Sequence, residues 1–312
     1  MNWEGKALTL NTVSLQYIKQ NKFDGRGLKL VKVLATEEAY TRYYITYMSG
    51  ELRISGIMNV PKGKGAYPVI ITAHGFVEPR YYTTGRGLKR EQDYLARNGY
   101  IVLHPDYRNH NGSDKDPENS LRLNLGYTED VINAVHAVKG SSYKFIDRAN
   151  VGLLGHSLGG GIALNIMTTK PGLIKAYVLF APISIDYMDN YYRWIARKGA
   201  SVPGKFGSPV VREKIEALYG SPEANPEFWN NLSPKTFIRN VNDPIIVHQG
   251  LADQDVPSDW ANKLVEAFKR SGKEIKLYTY RGQPHEFTSA WPQVMITSTK
   301  FFDSTLKHVN AK

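Results

Sequence analysis

The stretch VGLLGHSLGGG, residues 151–161, constrains the fold of this chain more than any other part of it. An apolar strand pattern runs straight into a serine flanked by Gly155 and Gly159, and an apolar helical pattern starts at once behind it. A nucleophile elbow needs this arrangement, because its serine sits at strained φ/ψ and side chains at the flanking positions would clash. The bare G-x-S-x-G pattern arises readily by chance. The strand before it and the helix after it give it weight. The alternative is an ordinary tight connection that contains a serine, and the rest of the chain decides between the two.

Behind Pro61 the chain alternates short apolar runs with helical patterns. The runs are PVIITAH (68–74), YIVLHP (100–105), VGLLGH (151–156), AYVLFAP (176–182), PIIVHQ (244–249) and EIKLYTY (274–280). Continuous apolar runs, as opposed to alternating ones, suit strands of a parallel sheet covered on both faces. Helical patterns such as RGLKREQDYLARNG and SDWANKLVEAFKRSG lie between them. Together they predict an α/β fold with a mostly parallel, doubly wound sheet. Ahead of Pro61, LKLVKVLA (28–35), RYYITYM (42–48) and ELRISGIMNV (51–60) alternate apolar with polar residues, as half-buried antiparallel strands do. Residues 1–60 are expected to form a β-rich lead-in at one sheet edge, and residues 61–186 with 244–312 the α/β core.

The interval between Pro182 and Pro244 is too long for a simple connection. Residues 187–243 are expected to form a helical cap or lid inserted over the carboxyl ends of the strands. The interval carries Tyr187, Tyr191, Tyr192, Trp194, Phe206, Tyr219, Phe228 and Trp229. These aromatics point to an apolar or aromatic substrate group, hydroxycinnamoyl esters among them.

A serine hydroxyl is a poor nucleophile until a base takes its proton, and that base needs an acid to orient it. On a sheet of this kind the acid follows a later strand and the histidine comes last. In PIIVHQGLADQDVP a strand ends in a turn that holds Asp253; in YTYRGQPHEF the last strand turns through Gly282 and Pro284 to His285. Both loops are expected at the same edge as Ser157, the carboxyl end of the sheet. Asp255 shares the acid loop but stands further from the strand end. Of the 8 histidines, His248 falls inside a strand, His136 and His308 inside helices, and His156 inside the elbow, where a supporting role suits it better than base catalysis. Acyl transfer also needs donors for an oxyanion. The amide of Leu158 is one candidate, and the amide of Phe76 in AHGFVEPR, a turn shaped by His74 and Gly75, is the other. No step of this chemistry requires a metal or cofactor.

Composition narrows the partners. The chain has no cysteine, which excludes disulfides, thiolate metal sites and a cysteine nucleophile. A net charge of +11 would suit an anionic partner, yet the Lys and Arg residues are scattered and no nucleic-acid motif accompanies them. A solvated basic surface is expected, and no nucleic acid. No apolar run reaches the roughly 18 residues of a membrane helix. The first residues show no basic-then-apolar leader pattern. Cytoplasm and secretion with the leader removed both stay open, as does the oligomeric state.

With these residues in place the chain resembles α/β-hydrolases of the prolyl-oligopeptidase-like, S9-type esterase and peptidase group. The resemblance runs from about Tyr43 to the C-terminus. It is carried by SGIMNVPKGKGAYPVIITAHG, DYRNHNGS, VGLLGHSLGGG, YGSPEANPEFWNNLSP, HQGLADQDVP and GQPHEF. It implies the same nucleophile, acid and base: Ser157, Asp253 and His285. Two departures stand out. Oligopeptidases of the group usually carry a large β-propeller or long N-terminal domain, which residues 1–60 are too few to form. Many relatives read D-Y-R-G-H-G-x-S where this chain has Asn109 and Asn111.

The leading expectation is a serine carboxylesterase acting on short-chain or aromatic acyl esters through an acyl-enzyme, with a small-molecule ester as partner. A serine peptidase acting on short peptides would need in addition an anchor for a substrate amine, for which Glu78, Asp186, Asp189 and Glu223 are candidates. A non-catalytic binding protein on this scaffold would be expected to lack one of the three positions, and all three are filled. Dehalogenases and epoxide hydrolases of the fold would place a carboxylate where Ser157 stands.

Overall fold

The apolar runs become the centre of a 9-stranded sheet in a computed structural model that describes residues 12–196 and 209–307. The strands are β1 (Arg26–Thr36), β2 (Tyr40–Ser49), β3 (Leu52–Pro61), β4 (Tyr67–Ala73), β5 (Ile101–Pro105), β6 (Ile146–His156), β7 (Ala176–Phe180), β8 (Ile245–Gly250) and β9 (Lys276–Tyr280). Their order across the sheet is β1-β2-β3-β5-β4-β6-β7-β8-β9. From β5 onward all neighbours run parallel. β1, β2 and β3 pair antiparallel, and β3 joins the parallel set through an antiparallel pairing with β5.

Helices cover both faces, which is why β5, β7 and β8 are buried at every residue. After the short α1 (Leu15–Gln20), α2 (Lys89–Arg97) leads into β5 and α3 (Leu125–Lys139) into β6, while α4 (Leu158–Thr169) follows β6. The insert holds α5 (Tyr187–Asn190), α6 (Pro209–Tyr219) and α7 (Pro226–Asn231); α8 (Asp259–Arg270) and α9 (Trp291–Leu306) complete the chain. One apolar cluster joins α3, α4 and α8 to the sheet around Val135, Ile166 and Phe268. A second joins α2 and α9 to the other face around Leu95 and Phe302. Among the described residues no helix is long and apolar enough to cross a membrane.

The alternation expected ahead of Pro61 fails in β3 and in the second half of β1, where residues 31–34 are all exposed. Residues 54–59 of β3 are all buried, because β3 lies inside the sheet between β2 and β5 and is covered from both sides. The open edge is β1, which exposes Val31 and Val33 and carries Lys29 and Lys32, charges that discourage pairing with another chain. β9 forms the opposite edge and is only half-buried, unlike the other parallel strands.

The insert builds a small core of its own. Tyr191, Ile215, Tyr219, Phe228 and Trp229 pack with Leu123 and Leu125 at the start of α3, and with Val13 and Leu15 near the N-terminus. Asn225 caps α7 by accepting from the Phe228 amide at 3.3 Å, with Pro226 at the first helical position. Phe206 of the insert and His308 lie outside the described residues.

Asn109 and Asn111, which replace glycines of the resembling family, adopt φ of 69° and 39°. Asparagine tolerates this left-handed region better than most side chains. Asn109 also clasps Asp116, donating to its carbonyl at 2.8 Å and accepting from its amide at 2.7 Å. The glycine-like turn therefore survives without glycine. Beneath it the buried Arg108 forms ion pairs with Asp116, Glu129 and Asp130.

Candidate active site

β6 ends at His156 and α4 begins at Leu158, leaving Ser157 at φ 55° and ψ −118°. That conformation is strained for a residue with a side chain and persists only where its surroundings over-determine it. Here the Ser157 amide donates to Phe180 O at 2.9 Å, and Ser157 O accepts from the Gly161 and Ile183 amides at 3.2 Å each. A Cβ on Gly155 would lie 2.4 Å from Gly159 O, and one on Gly159 would lie 1.9 Å from Ala73 O. Neither position admits a side chain. The packing of α4 on the sheet, as well as the turn itself, demands the glycines.

Ser157, Leu158, Phe76 and His285 open into one cavity of about 510 Å³. The amides of Phe76 and Leu158 donate no hydrogen bond within the described residues. Leu158 opens α4 with no side-chain cap, so the helix dipole adds positive potential beside Ser157.

Behind His285 sits Asp253, whose side chain is wholly buried. His285 Nδ1 lies 2.7 Å from Asp253 Oδ2. Oδ2 also accepts from Gln249 Nε2 at 3.1 Å, while Oδ1 accepts from the Asp255 and Val256 amides at 2.9 Å each. Burial alone would raise the Asp253 carboxyl, but the bonds from His285 and the loop amides hold it below its ordinary 3.8. Burial would likewise lower His285, and the bond and charge of Asp253 reverse that, raising the imidazole above 6.5.

Asp255 lies on the cavity wall, exposed, with no hydrogen bond from its carboxylate to the imidazole. Ligand atoms of Asp253, Asp255 and His285 lie within 4.8 Å of one another, but both Asp253 oxygens and His285 Nδ1 are already hydrogen-bonded. The remaining histidines take other parts. His248 is buried beneath β9, bonded to Tyr280 OH at 2.8 Å and Ser298 Oγ at 3.2 Å, and burial pushes it down to about 3. His136 is half-buried on α3. The His156 ring lies 4.4 Å from the His285 ring at a tilt of 40°, and its Nε2 donates to His285 O at 3.3 Å.

The insert contributes Tyr187, Asn190, Trp194 and Pro234 to the cavity wall. Its other described aromatics do not line the cavity. Tyr191, Tyr219, Phe228 and Trp229 fill the insert's own core, and Tyr192 is exposed with its hydroxyl bonded to Glu223. Among the described residues the aromatic wall expected from composition comes down to Tyr187 and Trp194, because the insert must stabilise itself. The four carboxylates named as amine anchors also lie off the cavity. Asp186 caps α5 and pairs with Lys235, Asp189 pairs with Lys263 at 3.0 Å, and Glu78 lies 3.9 Å from Arg80. The carboxylates that do line it are Asp255 and Glu286.

Sequence reasoning missed Gln249 and Asn165. Gln249 reaches Asp253 from the end of β8, and nothing in its own sequence neighbourhood marks that contact. Asn165 lines the cavity from α4 and had a visible signal, as a polar residue inside the apolar run GIALNIM.

Residues 70–294 match the alpha/beta hydrolase family. The chain is 28% identical over 230 residues to the uncharacterized peptidase YuxL of Bacillus subtilis (strain 168), covering 73% of this chain and 32% of that protein. It is 23% identical over 256 residues to the acylamino-acid-releasing enzyme of Homo sapiens, covering 79% of this chain and 32% of that protein. The chain thus spans about a third of the length of these curated relatives. Among solved structures, Pyrococcus horikoshii acylaminoacyl peptidase gives a TM-score of 0.67 at 20% identity, over 88% of this chain and 44% of that one. Acetyl xylan esterase 1 from Thermoanaerobacterium sp. JW/SL YS485 gives 0.62 at 15% identity, over 94% and 91%. Proteins named as peptidases and as esterases therefore share this fold. The chain belongs to the alpha/beta hydrolase family, and the proteins it resembles include an acylaminoacyl peptidase.

Proposed function

We propose that the protein is a serine carboxylesterase that cleaves short-chain or aromatic acyl esters. Ser157 Oγ attacks the ester carbonyl while His285 takes its proton, and Asp253 holds the imidazolium that forms. The amides of Phe76 and Leu158 donate to the oxyanion, an interaction worth about 3–4 kcal/mol per donor. His285 then protonates the departing alcohol. Water, deprotonated by the same imidazole, attacks the acyl-enzyme and releases the acid. Residues 187–243 serve as the cap that walls the substrate cavity.

The observation that carries this reading is the 2.7 Å bond between Asp253 and His285, behind a cavity that Ser157 lines together with Phe76 and Leu158, whose amides are unbonded among the described residues. Two features favour an ester over a peptide. The carboxylates expected to anchor a substrate amine face elsewhere, and the wall beside Ser157 is apolar, with Leu158, Ile162 and Ile183. The test assays the protein and Ser157→Ala on a p-nitrophenyl ester series and on aminoacyl and X-Pro amides in parallel. Ester turnover that vanishes in the variant, with negligible amide cleavage, upholds the reading. Strong amide cleavage overturns it.

A second reading, a serine peptidase, is favoured by Asp255 and Glu286 on the cavity wall, where a substrate ammonium would meet them. In that case Asp255→Asn and Glu286→Gln should raise KM for free-amine peptides and leave N-blocked peptides unaffected.

A further inference from the structure

The cavity has a direction. β6 and β7 run parallel, so α4 between them must return antiparallel to the strands, descending from the edge that carries Ser157. Leu158, Gly161, Ile162 and Asn165 all line the cavity. Their spacing of i, i+3, i+4 and i+7 is one face of a helix. The channel therefore follows the flank of α4 for two turns, about 12 Å from Ser157 to Asn165 at a rise of about 1.5 Å per residue.

Along this path the helix presents glycine and aliphatic residues, and at its far end it presents an amide. Asn165 Nδ2 donates to Thr128 Oγ1 at 3.1 Å. In that arrangement Oδ1 accepts no hydrogen bond among the described residues. A polar atom left unpaired on the wall of a filled cavity is costly to desolvate unless the occupant brings it a donor.

We propose that Asn165 is the specificity residue of an acyl-binding channel and reads a para-hydroxyl on an aromatic acyl group. The inference rests on the esterase reading for the identity of the bond cleaved. The leaving group must lie beside His285, which protonates it at the carboxyl edge of the sheet, so the branch that descends α4 takes the acyl part. The lengths agree. A 4-hydroxycinnamoyl group spans roughly 8 Å from carbonyl carbon to phenolic oxygen, and the Ser157 ester bond plus a hydrogen bond to Oδ1 add roughly 4 Å. A 4-hydroxybenzoyl group lacks the vinyl spacer and stops short of Asn165. An unsubstituted cinnamoyl group fills the channel but leaves Oδ1 unmet.

The experiment measures kcat/KM for methyl 4-hydroxycinnamate against methyl cinnamate, and for N-blocked tyrosyl against phenylalanyl amides. Wild type, Asn165→Leu and Thr128→Val are compared, with fluorophosphonate labelling of Ser157 reporting an intact elbow in each. Wild type should prefer the hydroxylated ester by about tenfold or more. Asn165→Leu should bring the ratio close to one, and Thr128→Val, which frees the amide to turn, should lower it severalfold. A wild-type ratio near one in both pairs overturns the inference, as does a ratio unchanged in Asn165→Leu. If esters are ignored while tyrosyl amides are preferred in an Asn165-dependent way, the esterase reading fails and the role of Asn165 stands. Loss of labelling in Asn165→Leu passes the decision to Thr128→Val. A wild type that turns over none of the four substrates overturns both.

Discussion

His74 donates from Nδ1 to the carbonyl oxygen of its neighbour Gly75 at 2.7 Å. The carbonyl can only accept, so the ring proton sits on Nδ1, and Nε2 is left buried without a partner among the described residues. Burial, with His104 and His110 close by, holds the imidazole well below 6.5, so the ring stays a neutral donor. The Gly75–Phe76 peptide is trans, and fixing its carbonyl fixes the Phe76 N–H on the opposite side. His74 thereby orients one of the two amides proposed to bind the oxyanion. The ring itself is held by stacking 4.1 Å from Tyr107. His74→Phe keeps the stack and removes the donor, and should lower kcat by roughly tenfold to a hundredfold with little change in KM. His74→Asn, whose amide nitrogen can reach the same carbonyl, should recover most of that loss. Steady-state kinetics on one ester decide it; a pure KM effect would contradict the assignment.

The two aspartates of the acid loop should separate by mutation. Asp253→Asn puts an amide where the imidazole needs an acceptor, and kcat should fall on the order of 10⁴-fold. Asp255→Asn changes only an exposed wall residue and should leave kcat for neutral esters within about twofold, as expected for an exposed site with no buried partner. Equal losses in both variants would mean the loop has been misassigned.

The Asp253–His285 pair makes a signed pH prediction. The base works only when neutral, and its pKa is raised, so kcat/KM should climb with pH through a midpoint above 6.5. Asp253→Asn should move that limb to lower pH. For stability, the raised His285 contributes fully below its ordinary 6.5, and the contribution is lost as pH rises through the folded value. The lowered Asp253 contributes above its ordinary 3.8, and that is lost as pH falls through its folded value. Denaturant titrations of wild type and Asp253→Asn across the range check both limbs.

Gly159 is a packing position before it is a catalytic one. Its missing Cβ leaves room for Ala73 O, and a methyl group there would sit 1.9 Å away. Gly159→Ala should therefore cost about 3 kcal/mol or more in chemical denaturation, as backbone must move against backbone. A variant as stable as wild type would show that β4 and α4 can separate cheaply.

Arg108 ties the loop that carries Asn109 to α3. It is 4% exposed and faces Asp130, which is 0% exposed and also accepts from Ser49 Oγ at 2.8 Å. Arg108→Met would leave that carboxylate buried without its countercharge, at a cost of about 3–5 kcal/mol. The midpoint of thermal or denaturant unfolding reads the effect directly.

Local patterns made much of this fold legible. The elbow is readable from residues 151–161 because a strand, a serine and close-packed glycines are short-range features. The parallel core follows from continuous apolar runs, and the bond between Asp253 and His285 joins two loops whose order along the chain already hinted at a meeting. What was not legible depends on packing between distant segments. β3 alternates in sequence yet residues 54–59 are all buried, because α2 packs on it and Ile54 and Met58 join the main apolar core. The aromatics of the insert read as substrate-facing, but periodicity marks only the apolar side of a helix and not which core it joins. Tyr219 and Phe228 stack on each other at 4.4 Å and so serve the insert itself. Gln249 and His74 act through single hydrogen bonds to loop atoms, and no spacing rule announces those.

The strained backbone of Ser157 has a consequence for the folding chain. The contacts that hold it come from Phe180 on β7 and from Ile183 just beyond it, while Gly159 packs on Ala73 of β4, which pairs with β6 only after the chain between them has been laid aside as β5 and α3. Pairings so distant in sequence carry a large loop-closure cost and form slowly. Until they form, nothing compels a serine to adopt φ 55°, and its hydroxyl is chemically as inert as any other on the surface. The nucleophile proposed for Ser157 is thus a property of the finished sheet: a chain caught part-folded on the ribosome or by a chaperone would carry the serine without the danger of an unshielded acyl-transfer reagent.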